Sequence, residues 1–208
     1  AHIPLERFER VIVTAVNQNQ ELAKADRRSL FVACVMAAQD GLLPDGKQAA
    51  LVIFNTKLKV GGKDQWFKKV QYMPMIAGIR QRMRNSGEVS SAEAHVVYEN
   101  DEFDYLLGDN PRIEHKPALS GRGEPVAAYA IIKLTNGEVL REIMSIEEIE
   151  WVRRVSKAPK GGPWDNWWGE MARKTVLRRC AKSAPTQSDL DELLKRDDQL
   201  EPSEPVDI

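Results

Sequence analysis

Several sequence signatures are absent, and each absence excludes a class of protein. The 208 residues contain only two cysteines, Cys34 and Cys180, with no Cys-x-x-Cys pair and no Cys/His spacing typical of zinc sites. A disulfide framework is therefore excluded, and both thiols are expected to be reduced and packed, as in a cytosolic protein. No apolar run approaches the roughly 18 residues of a membrane span, and no signal peptide is visible. We therefore expect a cytoplasmic protein without a membrane partner.

Enzyme motifs are also missing. No Gly-x-x-x-x-Gly-Lys-Ser/Thr loop is present, which excludes nucleotide hydrolysis by a P-loop, and the short Gly61–Lys63 run predicts a hairpin turn instead. Neither Gly-x-Ser-x-Gly nor His-Glu-x-x-His occurs. The three histidines, His2, His95 and His115, show no metal-ligand spacing. We therefore assign no catalytic residue and no metal site, and we do not expect an enzyme.

Charge is strongly segregated along the chain, although the net charge is only −1. Residues 57–84 carry eight lysines and arginines against one aspartate, and residues 151–182 carry nine against two acids, a net of +7 in each segment. Residues 88–150 have a net charge of −9, and residues 189–207 have a net charge of −6. This pattern favours an anion-binding surface and an acidic remainder. The alternative is that folding mixes the segments in space, so that their fields average out.

The predicted elements run in the order helices, hairpin, helix, hairpin-linked strands and helices. Asp26 is a suitable N-cap for the second helix, and Ser145 with Glu148 forms a capping box for a later one. Asn136 and Gly137, between two β-prone runs, predict a two-residue turn of type I′. This order favours an α+β fold with a small, mainly antiparallel sheet of hairpins flanked by helices, rather than a parallel sheet.

No internal repeat or low-complexity linker is visible before about residue 186. With 42% hydrophobic residues, the chain can bury a core without disulfides. We therefore expect one domain over residues 1–185. The remaining residues, 186–208, form an acidic tail that is expected to be a short helix or disordered.

The segment from Trp164 to Pro185, WDNWWGEMARKTVLRRCAKSAP, combines three tryptophans with five lysines and arginines. A helix over this segment places Lys174, Arg178 and Lys182 on one stripe. Another stripe is apolar and can pack inward: Ala172, Val176 and Cys180. Like charges at this spacing destabilise a helix by a few tenths of a kcal/mol per pair, and a bound anion would remove that penalty. The stripe is therefore a candidate anion-binding surface.

Aromatic side chains accompany both basic segments. Among Trp164, Trp167 and Trp168, at least one is expected to cap the core. The others could stack on bases of a single-stranded nucleic acid, which contributes ~1–3 kcal/mol per base, and we assign Trp164 to DNA. The earlier basic segment repeats the pairing of aromatic with basic residues: Trp66, Phe67, Lys68 and Lys69. Two such segments in one chain favour a ligand that has both phosphates and flat rings.

Two alternatives remain open. Asp109, Glu114 and Lys116 resemble a metal-dependent nuclease core, in which two carboxylates hold Mg²⁺ and a lysine orients a water molecule. In such nucleases the first aspartate normally comes from an earlier strand, so Asp109 in a turn before a strand is the favoured interpretation. The other alternative is an oligomeric scaffold without a DNA role, whose basic segments contact the acidic residues 88–150 of a neighbouring subunit.

Four stretches together resemble the RecT family of phage recombinases. They are YMPMIAGIRQRMRNSGEV, VVYENDEFDYLLGDNPRIEHKP, AAYAIIKLTNG and PWDNWWGEMARKTVLRR, and the similarity runs in the expected order from near Pro4 to near Pro185. Each stretch is weak alone, but the combination is specific. The resemblance implies a RecT/Redβ annealase-like fold. It also implies ATP-independent annealing of complementary single strands in phage-type homologous recombination, in the cytoplasm of a bacterial host cell.

The resemblance also implies partners and contacts. Single-stranded DNA and the annealed duplex intermediate would lie in a basic groove that is continuous across a homo-oligomer, either a ring or a helical filament. Phosphate contacts carry over to the Lys-Thr-Val-Leu-Arg-Arg motif, the arginine helix and the hairpin: Lys174, Arg178, Arg179, Arg80, Arg82, Arg84, Lys68 and Lys69. The residue patterns add Lys182, Trp66 and Trp164 to this DNA-binding set. No cofactor or ATP is required, Mg²⁺ enters only as an ion bound by DNA, and a host single-strand-binding protein or exonuclease is a candidate partner.

Overall fold

The structure, a computed structural model, describes residues 3–60, 63–156, 159–160 and 162–184. The chain divides into two compact units, Ala1–Asn85 and Ser86–Ile208. Each unit combines helices with antiparallel strands, which confirms the predicted α+β class. The single domain over residues 1–185 stays a prediction. The predicted acidic tail and the first two residues of the Gly61–Lys63 turn lie outside the described residues.

The first unit contains helices and one long hairpin: α1 (Leu5–Gln18), α2 (Glu21–Lys24), α3 (Arg27–Gln39), β1 (Ala49–Val60), β2 (Lys63–Pro74) and α4 (Ile76–Asn85). The two strands pair antiparallel along their whole length, from Ala49 opposite Pro74 to Val60 opposite Lys63. α3 begins at the predicted cap, because the carboxylate of Asp26 accepts a hydrogen bond from the Ser29 N–H at 2.8 Å.

Backbone contacts fix α3 and the start of α4 to the rest of this unit. The Asp26 N–H donates to the Lys68 carbonyl, and the Val70 N–H donates to Ser29 Oγ, both at 2.9 Å. α4 approaches the preceding chain closely at Gly78, where an added Cβ would overlap the carbonyl oxygen of Gln48. Only glycine fits this contact without displacing the helix.

The described part of the second unit contains five strands and three helices: β3 (Val89–Tyr98), β4 (Glu102–Leu106), β5 (Arg112–Lys116), β6 (Pro125–Leu134), β7 (Val139–Ser145), α5 (Ile146–Val155), α6 (Pro163–Asn166) and α7 (Trp168–Ala181). Three strands form an antiparallel sheet in the order β3–β6–β7, and β4 pairs with β5 in a separate hairpin. α7 packs against this sheet. Its apolar stripe is buried as predicted, and burial raises the pKa of the Cys180 thiol to about 12.

The junction between β7 and α5 has the capping geometry that the sequence predicts. The Ser145 hydroxyl accepts a hydrogen bond from the Glu148 N–H at 3.3 Å, and the Glu148 carboxylate accepts one from the Ser145 N–H at 2.9 Å. The capping box is therefore confirmed. Across the described residues, no helix is both long and apolar enough to span a bilayer.

The structure corrects the turn between β6 and β7. A type I′ turn needs positive φ at both central residues, but only Gly137 has one, at 93°, and Asn136 does not. The Gly137 N–H donates to the Leu134 carbonyl at 3.2 Å, and the Leu134 N–H donates to the Glu138 carbonyl at 2.8 Å. This geometry is that of a longer loop, in which a right-handed turn is followed by one left-handed glycine.

Candidate nucleic-acid interface

The hairpin of the first unit presents an aromatic and a basic side chain on one face. Trp66 and Lys68 are two residues apart on β2, and the Trp66 side chain is 69% exposed. Lys68 Nζ lies 2.5 Å from the Glu21 carboxylate, and Lys24 Nζ lies 2.8 Å from it. Hydrogen bonds from Lys24 and then Lys68 lower the pKa of Glu21 to about 2. Lys69 points to the opposite face and is half-buried.

α4 separates its apolar side from its arginines as the sequence predicts. Ile76, Ile79 and Met83 are buried, and Gly87, with φ of 79°, follows the helix. The arginines differ among themselves: Arg80 and Arg82 are half-buried and take part in further contacts, whereas Arg84 is exposed. Arg84 is therefore the arginine of α4 that a phosphate can reach directly.

α7 buries most of its basic stripe. Lys174 is 3% exposed and Arg178 is 5% exposed, and both take part in further contacts. Lys182, at the C-terminal end of the helix, is exposed. Charged side chains are rarely buried so deeply unless they are paired. The helical spacing thus identified the stripe, but the structure buries two of its three residues, Lys174 and Arg178.

Arg179, next to this stripe, is held by two carboxylates. Its guanidinium lies 3.1 Å from Glu142 on β7 and 2.6 Å from Glu148 on α5. Burial raises the pKa of Glu148, but the Ser145 N–H and Arg179 together outweigh burial, and the pKa lies below its ordinary value. Arg179 is therefore fixed by acidic groups that occupy the positions a phosphate would take.

The tryptophans of the second basic segment have three different environments. Trp164, the residue assigned to DNA, lies in α6 and is only 2% exposed. Its indole N–H has no hydrogen-bond partner within the described residues. Trp168 starts α7 and donates from Nε1 to Glu150 at 2.7 Å. Trp167, between the two helices, is 55% exposed. The sequence did not distinguish these environments.

The nuclease-like residues lie on and beside the β4–β5 hairpin. Lys116 pairs with Glu102 across the hairpin at 2.8 Å, and Glu114 lies 3.9 Å from Arg112 on its own strand. Asp109 is an exposed loop residue between the strands. Among the residues that the structure describes, no group of three His, Cys, Asp or Glu side chains could hold a metal ion. Ion pairs within the hairpin, one across the strands and one along β5, account for the charges of Lys116 and Glu114.

A buried polar cluster was missed by sequence reasoning. The Asp101 carboxylate is fully buried and accepts hydrogen bonds from the Tyr98 and Ala118 N–H groups, each at 2.9 Å, and from Arg122 at 2.5 Å. His115 Nε2 lies 3.0 Å from the same carboxylate. The Arg122 guanidinium holds the pKa of Asp101 well below its usual range. In the sequence, Asp101 stands between polar neighbours and resembles a surface acid.

Comparison with known proteins gives the same family by two routes. The sequence model of the RecT family matches residues 6–208. Protein RecT of Escherichia coli (strain K12) is 33% identical to this chain over 199 residues, which cover 95% of this chain and 72% of that protein. Both matches extend through the two units, so they do not depend on one motif. The chain is a member of the RecT family, the single-strand annealing proteins of recombination.

Proposed function

We propose that this protein binds single-stranded DNA and anneals complementary strands without ATP, through a basic groove continuous across a homo-oligomer. The observation that carries the proposal is the family match over residues 6–208. Structural support comes from the β1–β2 hairpin, where exposed Trp66 and Lys68 offer a ring and a cation on one face. A nucleotide has the complementary pair, a flat base and a phosphate.

Annealing needs no bond-making chemistry. Base stacking contributes about 1.4 kcal/mol per step, so 20 paired bases release on the order of 28 kcal/mol. Phosphate repulsion and the search for the matching register oppose pairing. Lysines and arginines neutralise phosphates and release their counterions, so that a strand held by its backbone can display its base edges. An oligomer aligns many weak sites on one strand and thereby strengthens binding.

Exposure separates two groups among the predicted DNA-binding cations. Lys68, Arg84 and Lys182 reach solvent and can meet a phosphate as the structure stands, whereas exposed Arg179 must first leave Glu142 and Glu148. Lys174 and Arg178 are covered, and a strand can contact them only after the covering groups move. The first group is therefore expected to dominate initial binding. Lys174 and Arg178 would contribute after assembly or closure around the strand.

Annealing can be measured with complementary oligonucleotides that carry a fluorophore and a quencher. We expect the protein to accelerate quenching without any nucleotide, and both strands to remain full length on a denaturing gel. Strand cleavage that requires Mg²⁺ and disappears in Glu114→Gln would support the nuclease alternative instead. If excess single-stranded DNA neither binds nor changes particle size in light scattering, the basic segments serve assembly alone.

The phosphate contact of Arg84 can be tested through salt dependence. Arg84→Ala removes an exposed cation, so the negative slope of log affinity against log salt should become shallower by about 0.7. Because Arg84 is exposed, the free energy of unfolding should change by no more than about 0.5 kcal/mol. Lys133→Ala is the matched control, since Lys133 is an exposed cation on β6 outside both basic segments. An unchanged slope for Arg84→Ala would show that this arginine is only solvated.

A further inference from the structure

We propose that Trp167 is the residue of the second unit that stacks on a base of the bound single strand. This inference rests on the proposed function and extends it from phosphate contacts to base contacts. It assigns the role to a residue outside the predicted DNA-binding set, in which Trp164 represented this segment. The partner that stacks on the indole ring of Trp167 is a nucleobase rather than a protein side chain.

Exposure distinguishes Trp167 from the other tryptophans of its unit. Trp164 is buried, Trp151 is half-buried, and Trp168 is fixed by its hydrogen bond to Glu150. Trp167 leaves 55% of its surface in water. An indole exposed to this extent offers a flat apolar face, and covering that face with a base is favourable for any of the four bases. Trp164 has no such face to offer.

The backbone holds Trp167 in place before any ligand arrives. Its φ of −141° and ψ of 51° interrupt the chain between α6 and α7. Its N–H donates to the Pro163 carbonyl at 2.8 Å, and its own carbonyl accepts hydrogen bonds from Glu170 and Met171, both at 3.0 Å. The backbone from which the indole projects is therefore fixed at a junction between two helices. Only the two side-chain torsions of the indole have to be ordered on binding, which keeps the entropy cost low and favours a role in recognition.

The acidic groups near Trp167 are compensated. Asp165 lies 2.5 Å from Arg153, and Glu150 lies 3.5 Å from the same guanidinium. Glu170, in the first turn of α7, is paired with Arg173. Residues 151–182 as a whole carry a net charge of +7. A DNA strand can therefore approach this ring without meeting uncompensated negative charge. An acidic protein surface could approach in the same way, but a DNA strand also supplies a regular series of flat bases that can stack on the indole.

Two substitutions separate a planar ring from mere apolar bulk. Trp167→Phe keeps an aromatic face, whereas Trp167→Leu keeps apolar volume without one. Binding is measured with an oligothymidylate and with an abasic oligonucleotide of the same length and phosphate number. We expect Trp167→Leu to bind the oligothymidylate roughly 5-fold to 100-fold more weakly. We expect Trp167→Phe to retain most of the affinity, and the salt slope to stay unchanged in both variants, because stacking involves no counterion release.

The abasic strand decides between stacking and other roles. If Trp167 stacks on bases, neither substitution weakens binding of the abasic oligonucleotide. Equal losses on both oligonucleotides, or no loss on either, would overturn the inference while wild-type binding keeps the proposed function intact. A smaller particle in light scattering with unchanged strand affinity would assign the ring to a contact between copies and would also overturn it. Wild-type protein that binds neither oligonucleotide would instead reject the proposed function.

Discussion

Two parts of the second unit bury charged side chains, and they do so in different ways. At Asp101 one carboxylate is surrounded by donors from the backbone, from Arg122 and from His115. On α7 two cations, Lys174 and Arg178, lie one helical turn apart and are both covered. The first arrangement neutralises its charge with an opposite one. The second brings two cations together on one side of a helix, where both also take part in further contacts.

The difference shows what charge in a sequence does and does not predict. The basic residues of α7 stood out because they are close together and repeat at helical spacing. Asp101 did not stand out, because its partners Arg122 and His115 come from residues 14 or more positions away. Neither pattern predicted burial. A charged residue can therefore be part of the core, and its role depends on which charges surround it.

The largest expected effect on stability comes from changing the buried carboxylate of Asp101. Asp101→Asn removes the charge that Arg122 and His115 face, and we expect it to lower the free energy of unfolding by about 3 kcal/mol at neutral pH. The native pKa of Asp101 is depressed, so the unfolded chain binds its proton first as the pH falls. Wild type therefore has this stabilisation in full above about pH 5 and loses it progressively below about pH 4.

Urea denaturation of both proteins between pH 7 and pH 3 measures this effect. The stability difference between wild type and Asp101→Asn should shrink as the pH decreases. Asp109→Asn, at an exposed loop residue, is the control and should leave the curve unchanged. A stability difference that is constant over this pH range would show that the ionised carboxylate is not what stabilises the cluster.

A smaller effect is expected at the buried cation of α7. Lys174→Met keeps the apolar stem and removes the charge, whereas Lys174→Ala removes both. We expect the alanine variant to be less stable than the methionine variant by about 1–2 kcal/mol, because only alanine loses the packing of the stem. If Lys174 contacts a phosphate after closure, the methionine variant makes the negative salt slope of strand binding shallower by about 0.7. An unchanged slope would assign Lys174 to packing alone.

The smallest effect is expected where acids hold Arg179. Glu142→Gln removes one of the two carboxylates that the described residues place on Arg179, so the guanidinium becomes more available to a phosphate. We expect single-stranded DNA to bind about 2-fold to 3-fold more tightly, as suits a partly exposed ion pair. Glu147→Gln is the charge-matched control, because Glu147 is exposed and forms no ion pair within the described residues. Equal gains from both variants would indicate a general effect of net charge.

Much of the fold could be predicted from the sequence where local signals and packing agree. The cap at Asp26 and the capping box at Ser145 each act over a few residues, and each appears where it was expected. The turn at Asn136 differed because the dipeptide is compatible with more than one loop length, and strand register selects among them. The break at Trp167 also escaped prediction, because no proline or glycine marks it.

The candidate site was less predictable than the fold. Spacing on α7 identified Lys174 and Arg178 as a stripe, but periodicity cannot show how many sides of a helix are covered. Composition placed Trp164, Trp167 and Trp168 together, yet one indole is buried, one is exposed and one is bonded to Glu150. These outcomes depend on contacts with elements far away in the sequence. Burial therefore had to come from the structure.

The close approach at Gly78 has a consequence for the arginines of α4. Because the helix backbone touches the carbonyl of Gln48 with no side chain between them, α4 has little room to slide or rotate. The backbone of Arg84 is then fixed, and only its flexible side chain has to adjust to reach a phosphate. A bulkier residue at position 78 would displace all three guanidinium groups together, without altering a single basic residue.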